Sequence, residues 1–560
     1  MNRTVYIDLM ERVLEAYSKE HIERYTKSVE ENSIQEHGYP RLVANLGILI
    51  AHGRKTEYKD YFIKMMDLCC KEIPVAHEIN GFHTGNDFSV KEVVFCILEL
   101  EKAGVYDKCH TDRWRGELSK IDPQTTYSRI APVPVEPVSN WAAFGAVSEQ
   151  LRKFAGIGDE SAFIDNQIAS QLFAFDENGM YRDPGEPLVY DFVTRLQLAG
   201  CLYFGYEGKF KDALEQQFVK AIDCTLKMQS VTGEIPFGGR SNQFFHNEAF
   251  YAALCEFYVW LLNKRGETEK IGEFKKAASR AIDYTKSWLD SDAPAHIKNY
   301  YSVDSFYGCE QYAYFDKYMV TTASWLYFAY AMCDESVEET KSSSFQAKYV
   351  WNTSEHFHMT FVKFNDWFLQ FDTNANTHYD GTGLGRIHKK GVPSQTVISV
   401  PFAKEPGYKT DIENQSCFSI CSGVYEDGKW VHAFDEGVEY SFIEQSQTDE
   451  AICVKFKMKT PGGTEVTETY TVSDEGVSIN ASSEGNIKIM FPIIAFDGKN
   501  YGECELGDGF VSVSYLGHKC TYTTDGKINS KNLMYANRNA HYLAMSAKGE
   551  KCVNLKIRLS

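Results

Sequence analysis

Through the first 335 residues, apolar positions recur at the three-and-four spacing of a helix face. Between residues 5 and 30, Leu9, Val13, Ala16 and Tyr17 fall on one such face. Gly38-Tyr39-Pro40 punctuates the chain, and Leu42, Leu46, Leu49 and Ile50 then come into register as a second helix. Further helical segments lie at about 57–72, 89–104, 140–155, 160–174, 191–205, 209–229, 247–264, 267–289 and 317–333. Each is bounded by Gly, Pro, Asp or Asn. Some are apolar nearly all round (Ala249–Leu262, Met319–Met332), whereas others are half charged (Lys209–Lys227, Ile271–Leu289). An inner ring of helices covered by an outer ring gives that alternation. The pattern predicts an α/α toroid, with a superhelical solenoid as the alternative.

The texture changes at the polar run from Asp334 to Ser344. Beyond it the period is two: Cys453-Val454-Lys455-Phe456-Lys457-Met458-Lys459 alternates, and Pro461-Gly462-Gly463 supplies a turn. Glu465 to Val472, Val477 to Asn480, Ile487 to Ile494, Phe510 to Tyr515 and Val553 to Leu559 also read as strands. Helices first and sheets second imply segregated layers. The expected class is a multidomain α+β chain: an N-terminal (α/α) toroid over 1–335 as the catalytic domain, a linker over 336–345, and an antiparallel β-sandwich over 346–560.

Composition narrows the partners. The chain has 560 residues, a net charge of −19, 43% hydrophobic and 24% charged residues, as a large globular protein should. That negative field argues against nucleic acid and anionic membrane surfaces. It leaves an acidic small substrate open, because a local arginine overrides a screened distant average. The 15 cysteines show no zinc-ligand spacing, and buried free thiols in a reducing compartment fit them best. With no signal-peptide pattern and no long apolar run, the expected location is cytoplasmic. Oligomerisation is left open.

The densest chemistry sits in Gly233-Glu234-Ile235-Pro236-Phe237-Gly238-Gly239-Arg240-Ser241-Asn242-Gln243-Phe244-Phe245-His246-Asn247-Glu248. A loop-to-helix junction needs one or two polar caps, whereas this one carries Arg240, Asn242, Gln243, His246, Asn247 and Glu248. Arg240 can grip a carboxylate with both arms, His246 titrates nearest neutrality, and Glu248 can be a general acid if its surroundings raise its pKa. Asn140-Trp141 opens a helix with an amide and an indole suited to a sugar face, against the plainer reading of a cap and a packed ring. Tyr190-Asp191 places a phenol beside a carboxylate at another helix start, where capping is the plainer reading. Tyr307, Tyr312 and their tyrosine-rich surroundings precede the last toroid helix. In the sheet region, His378-Tyr379-Asp380-Gly381-Thr382-Gly383-Leu384-Gly385-Arg386-Ile387-His388 reads as a long loop reaching over the toroid mouth, with Tyr379 and Arg386 toward substrate. His356-Phe357-His358 on a strand would put two imidazoles on one face, but no carboxylate partner is evident, so a structural role is the plainer reading and no metal and no cofactor are expected.

Helical toroid followed by β-sandwich resembles the uronic-acid polysaccharide lyases of the heparinase II/III-like and alginate-lyase-like groups. Asn140-Trp141, Gly179-Met180-Tyr181 to Tyr190-Asp191 and Gly239-Arg240-Ser241 also resemble a related toroid family that includes exo-β-glucuronidases. The resemblance implies cleavage of a glucuronate-containing oligosaccharide or glycoside by an exo-acting lyase. It assigns Asn140 and Arg240 to carboxylate neutralisation, His246 to the base and Tyr190 to the acid, with a tyrosine from 300–314 as its alternative. Trp141, Asn242, Gln243, Tyr307, Tyr312, Tyr379 and Arg386 would contact substrate. A hydrolase would instead use Asp191 and Glu248, whose separation decides between retention and inversion. A non-catalytic glycan-binding protein is the third class.

Overall fold

The computed structural model describes residues 2–81, 84–291, 294–340 and 347–560, without the side chains of Lys531 and Asn532. Among the described residues, sixteen α-helices, from α1 (Thr4–Leu14) to α16 (Phe315–Met332), precede fifteen strands, from β1 (Tyr349–Asn352) to β15 (His541–Leu559). Six helices form the inner ring: α3 (Gly38–Ala51), α6 (Asn86–Ala103), α9 (Trp141–Phe154), α11 (Leu188–Tyr203), α14 (His246–Arg265) and α16. Each packs on the next, and α16 returns to α3. That closure makes the helical half a toroid and excludes the solenoid.

Ring helices are buried on every side. In α3 each residue from Gly38 to Ile50 is buried. The outer helix α15 (Ile271–Leu289) instead buries Phe274, Ala277, Ala278, Ala281, Ile282 and Thr285 on one face against α14. The segment read as one helix over 5–30 is two, Thr4–Leu14 and Lys19–Asn32, because Ser18 caps the second through the His21 amide (3.2 Å). Gly38-Tyr39-Pro40 is not a break but the first turn of α3. Proline costs nothing there, since those amides have no intrahelical acceptor. No helix of the described residues is long and apolar enough to cross a membrane.

The polar run from Asp334 leads out of the toroid. Thr340 still donates its amide to the Gly272 carbonyl (3.2 Å), and residues 341–345 of the expected linker lie outside the described residues. Beyond it, β1, β2 (Met359–Phe364), β3 (Trp367–Asp372) and β4 (Gly383–Lys389) pair in order as an antiparallel sheet. This sheet is a middle layer. Met359, Phe361 and Phe368 join the helical core, while Val362, Phe364, Trp367, Leu369 and Phe371 join the core of the sandwich. The other eleven strands form the large sheet around two long strands, β10 (Gly476–Phe496) and β15. Their register shifts between Ser482 and Asn486. Before the shift β10 pairs β9 (Glu465–Ser473), and after it β5 (Cys421–Glu426), so one strand serves two layers.

Candidate active site

A cavity of about 450 Å³ opens at the mouth of the toroid. Six residues given a role from the sequence line it, Asn140, Trp141, Tyr190, Arg240, His246 and Tyr312, together with Asn247 of the same polar loop. The structure adds Glu36, His37, Arg41, Phe88, Arg129, Lys317, Tyr318 and Trp325, which the sequence reading did not pick out. Its floor is polar: Arg41 donates to Glu92 (3.1 Å) and Thr321 (2.6 Å), and Lys91 lies 3.3 Å from the same Glu92 carboxylate. Two cations thus share one carboxylate beneath the cavity.

The loop entering α14 is bent into shape. Ser241 and Gln243 adopt left-handed backbone angles (φ 61° and 68°), conformations that cost energy unless their surroundings hold them. Gly239 (φ 71°) leaves no room for a Cβ, which would lie 2.7 Å from the Pro187 Cα. The sheet region supplies the restraint. Gln370 brackets the Phe237 backbone (3.1 and 2.8 Å), Asp380 accepts from the Gly239 amide (2.6 Å), and Arg386 donates to the Ile235 carbonyl (2.7 Å). Arg538, in the turn before β15, forks onto Glu310 (2.6 and 3.0 Å), and Glu310 accepts the Ser241 amide (2.6 Å).

Held this way, the Ser241 hydroxyl lies 3.1 Å from the Tyr190 hydroxyl and 2.7 Å from that of Tyr312. Arg240 donates to Asp183 and to the Pro184 carbonyl (2.7 Å), and its guanidinium lies 4.7 Å over the Tyr190 ring. Burial raises the Tyr190 pKa above that of an ordinary phenol, and the Arg240 charge opposes the rise. Burial also raises Tyr312, without such a cation among its causes. His246 opens α14, stacked parallel on Phe244 (5.5 Å) and 5.5 Å from the Tyr318 ring. Burial, helped by Arg41, holds its pKa well below the usual imidazole value, so the ring is neutral at pH 7. Asn140, nearly buried at the start of α9, lines the cavity with its side-chain amide unpaired among the described residues.

Several expected site residues lie elsewhere. Asp191 is fully buried, gripped by Arg195 (2.8 and 2.5 Å) and by the Tyr181 amide (2.7 Å). Glu248 is equally buried, bonded to Lys298 (2.7 Å) and the Ile235 amide (3.1 Å). Neither reaches the cavity, so they do not form a carboxylate pair facing a substrate. Asn242 ties back to the Gly239 carbonyl (2.5 Å), and Gln243 accepts from Asn539 (3.1 Å), so both brace the loop. Tyr307 stacks on Tyr301 (3.8 Å) against the sandwich, and Tyr379 sits half-buried with its ring 6.0 Å from the Arg538 guanidinium. Arg386 belongs to strand β4 rather than to a long loop reaching over the toroid mouth. His356-Phe357 lie in a turn, not a strand, and His358 does have carboxylate partners, Asp372 (2.6 Å) and Glu186 (3.3 Å). These raise its pKa to about 9 against the opposing effect of burial. No group of three or more His, Cys, Asp or Glu among the described residues could hold a metal ion.

No known family model matches the chain, and no curated protein does. Among solved structures it is similar to a mutant of the heparan sulfate lyase HepC from Pedobacter heparinus (TM-score 0.49, 10% identity, 93% of this chain and 76% of that one). A heparinase III matches with TM-score 0.38 and 9% identity over 88% of this chain and 77% of that one. A glycosyl hydrolase of family 88 from Bacteroides vulgatus matches with TM-score 0.38 and 12% identity over 59% of this chain and 99% of that one.

Proposed function

We propose that this protein is a carbohydrate-active lyase that cleaves a glucuronate-containing oligosaccharide by β-elimination in the toroid cavity. The observation that carries this reading is a pairing of protonation states across one cavity. A neutral imidazole, His246, lines the same cavity as two protonated phenols, Tyr190 and Tyr312, linked through Ser241. Elimination needs a base that can accept a proton and an acid that can donate one, and these groups already hold those states at pH 7.

In the proposed reaction the Asn140 amide donates to the uronate carboxylate, where charge grows as the C5 proton leaves. His246 takes that proton. The C5–H electrons form the C4=C5 double bond, the C4–O bond breaks, and Tyr190 protonates the departing oxygen. His246 then returns its proton to solvent and Tyr190 regains one, so no water enters the products. Arg240 is committed to Asp183, and its part is to stabilise the phenolate left on Tyr190 rather than to bind the carboxylate.

The lining favours elimination over the usual two-carboxylate hydrolysis. Glu36 is the one carboxylate among the described cavity-lining residues, and it is held by Tyr25 (2.7 Å) and Lys317 (3.1 Å). Most glycosidases use two carboxylates flanking one bond, so this lining supports elimination over hydrolysis. Arg41, Thr321 and Trp325 line the cavity and are themselves nearly buried, and the proposed enzyme removes a terminal sugar.

The test is incubation with glucuronate-containing oligosaccharides, followed by ultraviolet absorbance and product mass. The expected outcome is an unsaturated uronate with no added water, and a loss of about 10²–10⁴-fold in kcat for His246→Ala. Saturated products one water heavier, or full turnover by that variant, would overturn the reading.

A further inference from the structure

Four cations line the cavity, and three are already matched to carboxylates. Arg41 bonds to Glu92 (3.1 Å), Lys317 to Glu36 (3.1 Å) and Arg240 to Asp183. Arg129 differs. Among the described residues its guanidinium has no hydrogen bond or ion pair, and it lies exposed at the mouth with its Cζ 6.0 Å from the centre of the Trp141 ring.

Its backbone is nevertheless anchored. Asp87, buried in the first turn of α6, accepts the amides of Ser128 (2.9 Å) and Arg129 (3.4 Å). The loop therefore presents this arginine from a fixed point on the inner ring. Beneath it, Arg41 and Lys91 share the single Glu92 carboxylate. In a chain of net charge −19 this cavity is locally cationic, and a Debye length of about 8 Å keeps the distant negative charge from cancelling it.

We infer that Arg129 reads an oxyanion on the bound sugar, a carboxylate or a sulfate ester, and so sets a preference for acidic over neutral glycans. This rests on the cavity being a sugar site, as proposed above, but not on elimination as its chemistry. The planar fork of arginine can bond two oxygens of either anion at once, which a lysine cannot copy. Arg240 is less suited to this work, because the Asp183 carboxylate already matches its charge and the Pro184 carbonyl takes a further N–H. Trp141, against the edge of Phe88 on one side (4.7 Å) and near Arg129 on another, reports directly on occupancy.

The experiment is titration of wild type, Arg129→Ala and Arg129→Lys with three disaccharides, followed by calorimetry and tryptophan fluorescence. One carries glucuronate, one is neutral with an O-sulfate, and one is neutral without it. Thermal melts check that the variants fold. Wild type should bind at least one acidic disaccharide more tightly than the neutral one, and the better of the two identifies the anion. Arg129→Ala should weaken that binding by about ten- to a hundredfold, Arg129→Lys less, and neither should alter the neutral ligand. Equal binding of acidic and neutral sugars by wild type, or unchanged binding of the acidic sugar by Arg129→Ala, overturns the inference. If acidic sugars bind through Arg129 and no unsaturated product forms, the lyase reading falls and this one stands. If the product forms and Arg129→Ala keeps its affinity, this inference alone falls. If wild type binds none of the three, both fall.

Discussion

At Tyr190 two effects compete: burial resists the loss of the phenolic proton, and the Arg240 guanidinium 4.7 Å over the ring favours it. Removing the cation should therefore matter only when the leaving oxygen needs that proton. Arg240→Ala is expected to lower kcat by about tenfold or more on a sugar leaving group, while a uronate bearing a phenol at the scissile position stays near the wild-type rate. Equal losses on both would show that Arg240 acts in some other way. His246 makes a second prediction. Its folded pKa is lowered, so the neutral base persists to more acidic pH, and the raised Tyr190 pKa keeps the acid protonated through alkaline pH. kcat/KM should stay level from about pH 6.5 to 9; an acid limb centred at an ordinary imidazole value would contradict this. At this scale the sequence was legible where the chemistry is contiguous, as from Arg240 to His246. It was not legible where ring closure brings Arg41 and Tyr318 together from opposite ends of the toroid. Asp191 was misread although its signal was present. Arg195 lies four residues on, the spacing at which helical side chains meet. Glu248 gave no such warning, because Lys298 is 50 residues away.

Among the elements, the α14 entry loop is the one whose shape is imposed from outside. Arg538 acts on it through Glu310, which holds the Ser241 amide and hence the hydroxyl between Tyr190 and Tyr312. Arg538→Lys keeps the buried charge but loses the fork. Its expected effect is a kcat reduced about 10–100-fold with KM little changed, since displacing an acid by about 1 Å costs rate more than affinity. Glu310→Gln should share that pattern. A wild-type kcat in both, or loss of kcat only in step with loss of stability in urea, would show that the contact merely braces the domains. Helices were read well because burial on one face writes a 3.6-residue period into the outer ring, and burial on all faces writes an unbroken apolar run into the inner one. Strands β2 and β3 left no such mark. All their residues are buried, between the toroid and the sandwich, so apolar side chains do not alternate with polar ones. The long strand β10 was read as two short ones because its exposed middle, around Ser482 to Asn486, interrupts the pattern.

The whole molecule carries an unusual set of buried ionisable groups. Burial holds His296 at about 4 and His388 at about 3, and it keeps His37 and His246 neutral as well. Burial also raises Asp87 to about 6 and Asp380 to about 7. Near pH 5 the unfolded chain protonates all four histidines and the folded chain none, whereas the folded chain alone protonates the two aspartates. Four protons less two leave about two more on the unfolded state, so stability should fall by roughly 3 kcal/mol per pH unit as pH drops through that range. Above neutrality the sign changes: His358, whose folded pKa is raised to about 9, loses its contribution as pH rises toward that value, the loss from Asp380 being complete by about pH 7. Urea unfolding at pH 5, 6, 7 and 8 should show a maximum near neutral pH, and His388→Asn should flatten the acid slope by about one proton. A slope unchanged by that substitution would contradict the assignment.

The Arg538 clamp also has a consequence for how the protein is made. Ribosomes build the chain from its N-terminus, and 297 residues separate Ser241 from Arg538. At ~5–20 residues per second, the toroid waits ~15–60 s for the arginine that shapes its loop. Nascent chains paused before that turn should hold the ring without the loop shape on which the proposed activity depends.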